Sequence, residues 1–142
     1  MGLYLNMNIK TVYKTGCLVI LGLIITSFNY SNPLKGTWEY CGDVFNGKVE
    51  GAPTEYALQR KYASKNYESF LLEKGEKPQK YEAGDYNLNA DTCIETQTFS
   101  AQESKLIGVS IHYLYSIRND TLTLSGTLPN GNTVKEFWKK TK

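Results

Sequence analysis

The chain has 142 residues, of which 41% are hydrophobic and 13% aromatic, and its formal net charge is +2. Because Lys10 and Lys14 precede residue 32, the rest of the chain carries 14 basic and 14 acidic side chains. This balance leaves no surplus of positive charge to neutralise phosphates, which argues against nucleic-acid binding through bulk charge. The length suits one domain with one modest core.

An apolar stretch at residues 15–28 follows Lys10 and Lys14 and precedes a polar segment. This arrangement is typical of a secretory signal peptide, and the stretch is shorter than the about 20 apolar residues of a transmembrane helix. We therefore expect residues 1–31 to be a signal peptide or an uncleaved signal anchor. The protein is then expected to be exported to the periplasm, the cell surface or the medium.

Strand-like alternation dominates the remainder, and no long helical pattern interrupts it. The clearest example is 107–118, in which apolar side chains recur at every second position from Ile107 to Ile117. Asn119-Asp120 and residues 129–132 have the composition of hairpin turns, and Gly84 is expected at a bulge or close contact. The predicted strands are 36–45, 54–63, 67–74, 79–89, 92–100, 107–118, 121–128 and 133–141, with 46–53 as a turn-rich connection.

Eight antiparallel strands joined by short turns can close into a barrel, which removes exposed sheet edges. The interior of such a barrel is filled by side chains or holds one small ligand. A β-sandwich is the main alternative from the pattern alone.

Gly36-Thr37-Trp38 at the head of the first strand resembles the Gly-x-Trp signature of lipocalins and fatty-acid-binding proteins. Segments 83–86, 117–122 and 136–139 look like small exported bacterial lipocalin-like domains. The resemblance covers about 34–141 and implies, for domain 32–142, an all-β, single antiparallel up-and-down eight-stranded lipocalin-like barrel of the calycin superfamily.

In lipocalins the signature Trp closes one barrel end and packs against a basic side chain near the last strand. The resemblance therefore implies that Gly36 and Trp38 form the barrel-end signature, with Lys139 or Lys140 as the cation. The family usually has Arg at that place. The chain has no room for the helix pair that fatty-acid-binding proteins insert after the first strand.

The candidate ligand-binding residues begin with Arg60, which alternates with Tyr56, Leu58 and Tyr62 on one face of the second predicted strand. An inward Arg could pair bidentately with a ligand carboxylate; alternatively it lies at the rim with its stem packed on Tyr. Aromatic surface with hydroxyl groups would come from Tyr40, Tyr113 and Tyr115, which suit either an amphipathic ligand or a filled core.

No set of catalytic residues is apparent. We therefore expect no enzymatic activity, no bound metal and no cofactor. His112 falls on the polar face of its strand and is expected to be exposed; only an inward His112 could ligate haem. Asp85 and Glu95 are expected to be solvated surface charges rather than an acid–base pair. Cys41 and Cys93 could form a disulfide or remain separate thiols.

The sequence thus predicts a non-catalytic exported barrel that binds a small apolar or amphipathic molecule. The alternative is a packed barrel that acts through its outer surface as a cell-envelope interaction or structural module.

Overall fold

A computed structural model describes residues 31–141, which contain nine β-strands and no helix. The strands are β1 (Gly36–Phe45), β2 (Lys48–Gly51), β3 (Ala57–Tyr62), β4 (Asn66–Leu72), β5 (Gln79–Asn89), β6 (Thr92–Ser100), β7 (Ser110–Arg118), β8 (Thr121–Thr127) and β9 (Thr133–Lys140). The predicted leader lies outside the described residues. No helix in this part of the chain is long and apolar enough to span a membrane.

The strands form one antiparallel sheet in the order β2-β1-β3-β4-β5-β6-β7-β8-β9, and pairing between β1 and β9 closes it. The first half of β1 pairs with β3, while its second half pairs with β2. Both pairings use the edge of β1 that faces away from β9, so β2 and β3 are two pieces of one barrel strand. The result is the closed eight-strand up-and-down barrel that the sequence predicted.

The second barrel strand is broken at residues 52–56, which the sequence did not predict. The prediction placed a turn-rich connection at 46–53, but only Asn46 and Gly47 form the turn, with φ values of 48° and 81°. The chain then pairs with β1 from Lys48 to Gly51 before it leaves the sheet. Pro53 lies in the break, where a residue without an N–H cannot extend the ladder.

The longest predicted strand, 107–118, is also shortened, because β7 begins only at Ser110. Gly108 has a φ of 77° and donates its N–H to the Gln97 carbonyl at 2.8 Å. This turn leaves Ile107 about half exposed instead of on the inner face. Residues 101–109 therefore form a loop that places Leu106 against the core.

One end of the barrel, here called the closed end, is sealed by the residues that precede β1. Leu34 and Trp38 are fully buried there, and the Trp38 indole N–H donates to the Leu34 carbonyl at 2.7 Å. The Lys140 ammonium lies 5.0 Å from the centre of the Trp38 ring. This contact confirms the predicted pairing of the signature Trp with a basic side chain of the last strand.

Gly84 illustrates how closely the strands pack. It lies beside the irregularity between β5 and β6, and an added Cβ would lie 2.7 Å from Tyr67 Cε1 and closer still to the Thr96 carbonyl oxygen. The Thr96 carbonyl oxygen belongs to the backbone of β6 and cannot move aside for a methyl group. We therefore expect Gly84→Ala to lower the free energy of unfolding by about 1–3 kcal/mol. Gly51→Ala, with nothing within 4 Å, is the matched control in chemical denaturation. Equal stability of the two variants would contradict the predicted close contact.

Candidate functional site

The alternation of strands β3, β4 and β6 directs a polar group into the middle of the barrel. Arg60 in β3 is paired with Trp38 in β1 and with Ser69 in β4, so its side chain points to the same inner face as theirs. Glu95 lies on the same face of β6 as the buried Cys93. Arg60 and Glu95 are each only 5% exposed, and their charges are therefore held inside the fold.

All three nitrogens of the Arg60 guanidinium donate hydrogen bonds to side chains of other strands. Its Nε donates to Ser69 Oγ at 3.0 Å, its Nη1 to Glu95 Oε2 at 3.3 Å, and its Nη2 to Glu82 Oε2 at 3.2 Å. Glu136 is a more distant partner, with 3.9 Å between its Oε2 and Nη1. These contacts fix the position of the cation, which is what a buried charge requires.

Two aromatic rings, those of Tyr67 and Trp138, lie within 5 Å of the same guanidinium. Its Cζ lies 4.9 Å from the centre of the Tyr67 ring and 4.6 Å from that of Trp138. Such contacts attract a cation to the negative face of the ring and gain strength where water is excluded. The two rings thus pack against the buried guanidinium in the interior of the barrel.

Glu95 is the most deeply placed carboxylate. Its Oε1 accepts a hydrogen bond from the Tyr62 hydroxyl at 2.5 Å. Burial raises the pKa of Glu95, and this effect outweighs the opposing influence of Arg60 and Tyr62. Burial alone would lower the pKa of Arg60, but Glu95, Tyr62 and the other carboxylates raise it well above its usual value, so Arg60 remains a cation.

Glu82 and Glu136 extend the polar group towards the other end of the barrel, here called the open end. Their side chains are 20% and 21% exposed. Glu82 Oε1 accepts from the Tyr67 hydroxyl at 3.0 Å and from Gln97 Nε2 at 3.3 Å. Glu136 Oε2 accepts from Trp138 Nε1 at 2.8 Å. Each carboxylate is therefore oriented by neighbouring donors.

A cavity of about 320 Å³ lies above this polar floor, at the open end. Its size falls at the lower end of the about 300–1,000 Å³ typical of small-molecule sites. Polar side chains form the floor, and aromatic and aliphatic side chains form the walls. The lining residues are Arg60, Tyr81, Glu82, Glu95, Gln97, Ser100, Leu106, Tyr113, Leu128, Val134 and Glu136.

The loop 101–109 forms part of the cavity wall because Gln97 anchors it. Ser104 Oγ donates to Gln97 Oε1 at 2.5 Å, and the Leu106 N–H donates back to Ser104 Oγ at 3.1 Å. Leu106 is thereby held over the lumen as an apolar wall residue.

The ligand-binding residues predicted from the sequence divide among these regions. Arg60 and Tyr113 line the cavity, whereas Tyr62 lies below it and bonds to Glu95. Tyr40 packs edge-on against Trp138 with 5.2 Å between ring centres, and Tyr115 is a partly buried core residue. Tyr56 precedes β3 and is 38% exposed, so it does not share the inner face of Arg60 and Tyr62.

The prediction that Glu95 is a solvated surface charge is wrong. Glu95 shares the inner face with Cys93 and Gln97, since it lies between them at a spacing of two residues. The same alternation places Glu136 between Val134 and Trp138, and this periodic signal could have identified both carboxylates. Glu82 precedes the buried Gly84 and Tyr86 at the same spacing of two residues, so alternation could have identified this carboxylate as well. Asp85, by contrast, is exposed as predicted.

The two cysteines of the barrel are free thiols, so the disulfide considered between them is not formed. Cys41 lies at the irregularity of β1 and is exposed, whereas Cys93 points into the core. Burial raises the pKa of the Cys93 thiol. His112 is exposed, as its alternation predicted. Among residues 31–141 no group of His, Cys, Asp and Glu side chains is arranged to hold a metal ion.

Comparison with known proteins adds little to this description. No protein-family model matches the chain, and no curated protein matches it. A solved structure that does match is a crystal structure of a mutant of the fluorescent protein UnaG, with 11% sequence identity and a TM-score of 0.38. The match covers 76% of this chain and 96% of that one. At these values it assigns no function to the chain.

Removing the buried cation tests the central role of Arg60. We expect Arg60→Met to lower the free energy of unfolding by about 3–5 kcal/mol, because it leaves the Glu95 carboxyl group buried without its partner. Lys80→Met is the control, since it breaks the ion pair between Lys80 and the exposed Glu68 and should cost at most about 1 kcal/mol. Chemical denaturation measures both. A loss for Arg60→Met no larger than the control would refute the central role of Arg60.

The raised pKa of Glu95 predicts a pH dependence of stability. Because the folded state favours the protonated form, the contribution of Glu95 is fully present below about pH 4.3, the ordinary pKa of an unfolded Glu. It is lost as the pH rises through the higher folded pKa, with a slope of up to about 1.4 kcal/mol per pH unit. The stability of the native chain relative to Glu95→Gln should therefore fall as the pH rises above about 4.3. Glu68→Gln, at an exposed position, should show no comparable change, and a relative stability that rises with pH would contradict the assignment.

Proposed function

We propose that this protein is a non-catalytic, exported barrel that binds a small amphipathic molecule in the cavity at its open end. The observation that carries the proposal is the cavity of about 320 Å³, with its polar floor and apolar walls. A ligand with one polar group and an apolar body matches that division. Export is proposed from the leader-like sequence of residues 1–31.

The division of the lumen supports this proposal over that of a fully packed barrel. Below the level of Arg60 the lumen is filled by large side chains such as Trp38, Tyr62 and Tyr86. Above it, the walls are separated by the cavity. A barrel that served only as a packed scaffold would gain stability by filling that space, because empty volume costs contacts.

A second candidate function uses the outer surface. A groove of about 870 Å³ runs over β7, β8 and β9 and includes Leu114, which is 59% exposed. An exposed apolar side chain in a concave surface is compatible with a protein partner. We place this candidate second, because polar residues such as Ser110, Ser125, Thr127, Thr133 and Lys135 are interspersed in the groove with apolar ones such as Ile111 and Val134, and no feature of the groove identifies one partner.

Filling the cavity tests the first proposal directly. Ser100 lies on the cavity wall, and Ser100→Trp should occupy the space that a ligand needs. Thr98→Trp is the matched control, because Thr98 lies in the same strand and is exposed. We expect small aromatic compounds that carry one alcohol, amine or acid group to bind the native protein and the control, measured by NMR titration, and to bind Ser100→Trp at least about tenfold more weakly. Failure of all three compound classes to bind the native protein, or equal binding by the two variants, would overturn the proposal.

A further inference from the structure

The charges around the cavity do not balance. Among residues 31–141, three carboxylates line it, those of Glu82, Glu95 and Glu136, and Arg60 is the one basic lining residue. Counted at formal charge, the lining carries a surplus of two negative charges. If Glu95 is protonated, the surplus is still one, since Glu82 and Glu136 then face one guanidinium. In either state the cavity has a negative surplus.

A negative surplus in a partly enclosed site favours a positive guest. Interactions between charges are stronger there than in bulk water, because the local dielectric constant is lower. A carboxylate in the cavity would meet two or three others at close range, and like charges repel by the same factor. The field of the lining therefore opposes an anionic ligand.

The inventory of donors points the same way and does not depend on the charge count. Arg60 uses its Nε, Nη1 and Nη2 on Ser69 and the carboxylates. The Trp138 indole N–H and the Gln97 amide donate to Glu136 and Glu82. Arg60 also donates from Nη1 to the Tyr62 hydroxyl at 3.5 Å, so four of its five N–H groups already bond to described residues of the protein. A carboxylate can accept about four hydrogen bonds, so the unused capacity of the floor consists chiefly of acceptor sites.

We propose that the ligand carries a compact organic cation, such as a primary or secondary ammonium group, which binds between Glu82 and Glu136, while its apolar body packs on the cavity walls. This inference rests on the proposed ligand-binding function and specifies the chemical class of the ligand. An ammonium group supplies the hydrogen-bond donors that the floor lacks, and its bonds to carboxylates are charge-assisted. The rings of Tyr81 and Tyr113 in the wall provide further favourable surface for a cation.

This assignment gives Arg60 a different role from the carboxylate anchor that its sequence position suggested. Its guanidinium forms part of the cavity floor, where it packs against the Tyr67 and Trp138 rings and pairs with Glu95 and Glu82. An incoming carboxylate would have to displace one of these partners. Arg60 instead positions the carboxylates that face the ligand.

Three probes of one skeleton test the ligand class on the full-length native protein. They are 2-phenylethylamine, 2-phenylethanol and phenylacetate, which share a phenyl ring and differ in charge. NMR titration at low ionic strength gives a dissociation constant for each. We expect the amine to bind at least about tenfold more tightly than the alcohol, which corresponds to about 1.4 kcal/mol, and phenylacetate to bind most weakly.

The outcomes separate this inference from the proposed function. If the alcohol or phenylacetate binds as tightly as the amine or more tightly, the cation assignment fails while ligand binding stands. If none of the three binds, both fail. A preference for the amine that disappears in Ser100→Trp locates the effect in the cavity, and one that survives this change overturns the assignment.

A matched pair of variants assigns the preference to a residue. Glu136→Gln keeps an acceptor for the Trp138 indole N–H and removes one negative charge from the lining. We expect it to weaken amine binding by about tenfold and to leave binding of the alcohol within about twofold, because a charge-assisted bond exceeds a neutral one by roughly this amount. Glu39→Gln, at an exposed position of β1, should change neither. An equal loss for amine and alcohol, with an unchanged melting temperature, would contradict the role of Glu136.

Discussion

The buried guanidinium of Arg60 is the feature on which the interior of this barrel depends. A cation at this depth is tolerable only with partners that replace its water, and those partners come from strands far apart in the sequence. Ser69, Glu82 and Glu95 reach it from β4, β5 and β6, while Glu136 and Trp138 reach it from β9. The interaction therefore depends on closure of the barrel, since β9 approaches β3 only through its pairing with β1.

The position of Arg60 divides the lumen into an apolar part that excludes water and a polar part that is partly accessible to it. Towards the closed end, Leu34 and Trp38 exclude water, and Lys140 covers the Trp38 ring. Towards the open end, the carboxylates of Glu82 and Glu136 are partly accessible, and the walls no longer meet. The closed end behaves as an ordinary hydrophobic core, in which burial of apolar area supplies stability. The open end has a polar floor, and its cavity is the candidate binding site rather than a source of stability.

Stability alone does not explain such a floor. Buried ion pairs are costly to desolvate, and well-packed apolar residues of similar volume are often as stabilising or more so. Several of the polar groups here also depend on one another, since Tyr62 is oriented by Glu95 and Tyr67 by Glu82. A network of this kind holds each carboxylate in one place, and preorganised groups bind a complementary ligand without the cost of ordering them first. A ligand-binding role would explain why these charged groups are buried despite the free energy that their desolvation costs.

The sequence by itself determined the strand pattern, because period-two alternation and turn chemistry are local. Asn119 and Asp120 both adopt the positive φ of a tight hairpin, and the eight predicted segments correspond to the eight barrel strands. Strand β2 (Lys48–Gly51) was missed, because the turn-like residues 46–47 and 51–53 on either side of it suggested a connection, and only its pairing with β1 shows that it belongs to the sheet. Trp38 was placed correctly at a barrel end, since its signature is itself a short local motif.

Only the tertiary structure decided what the inner face contains. Alternation states that Arg60 and Tyr62 share a face, but pairing across β1, β4 and β9 determines which groups meet them. Glu95 was expected in solvent because a carboxylate is rarely buried, and it is buried here because Arg60 and Tyr62 compensate it. Such compensation arises between residues up to 35 positions apart in the sequence. No local pattern encodes it, because the partners become neighbours only when the sheet curls and closes.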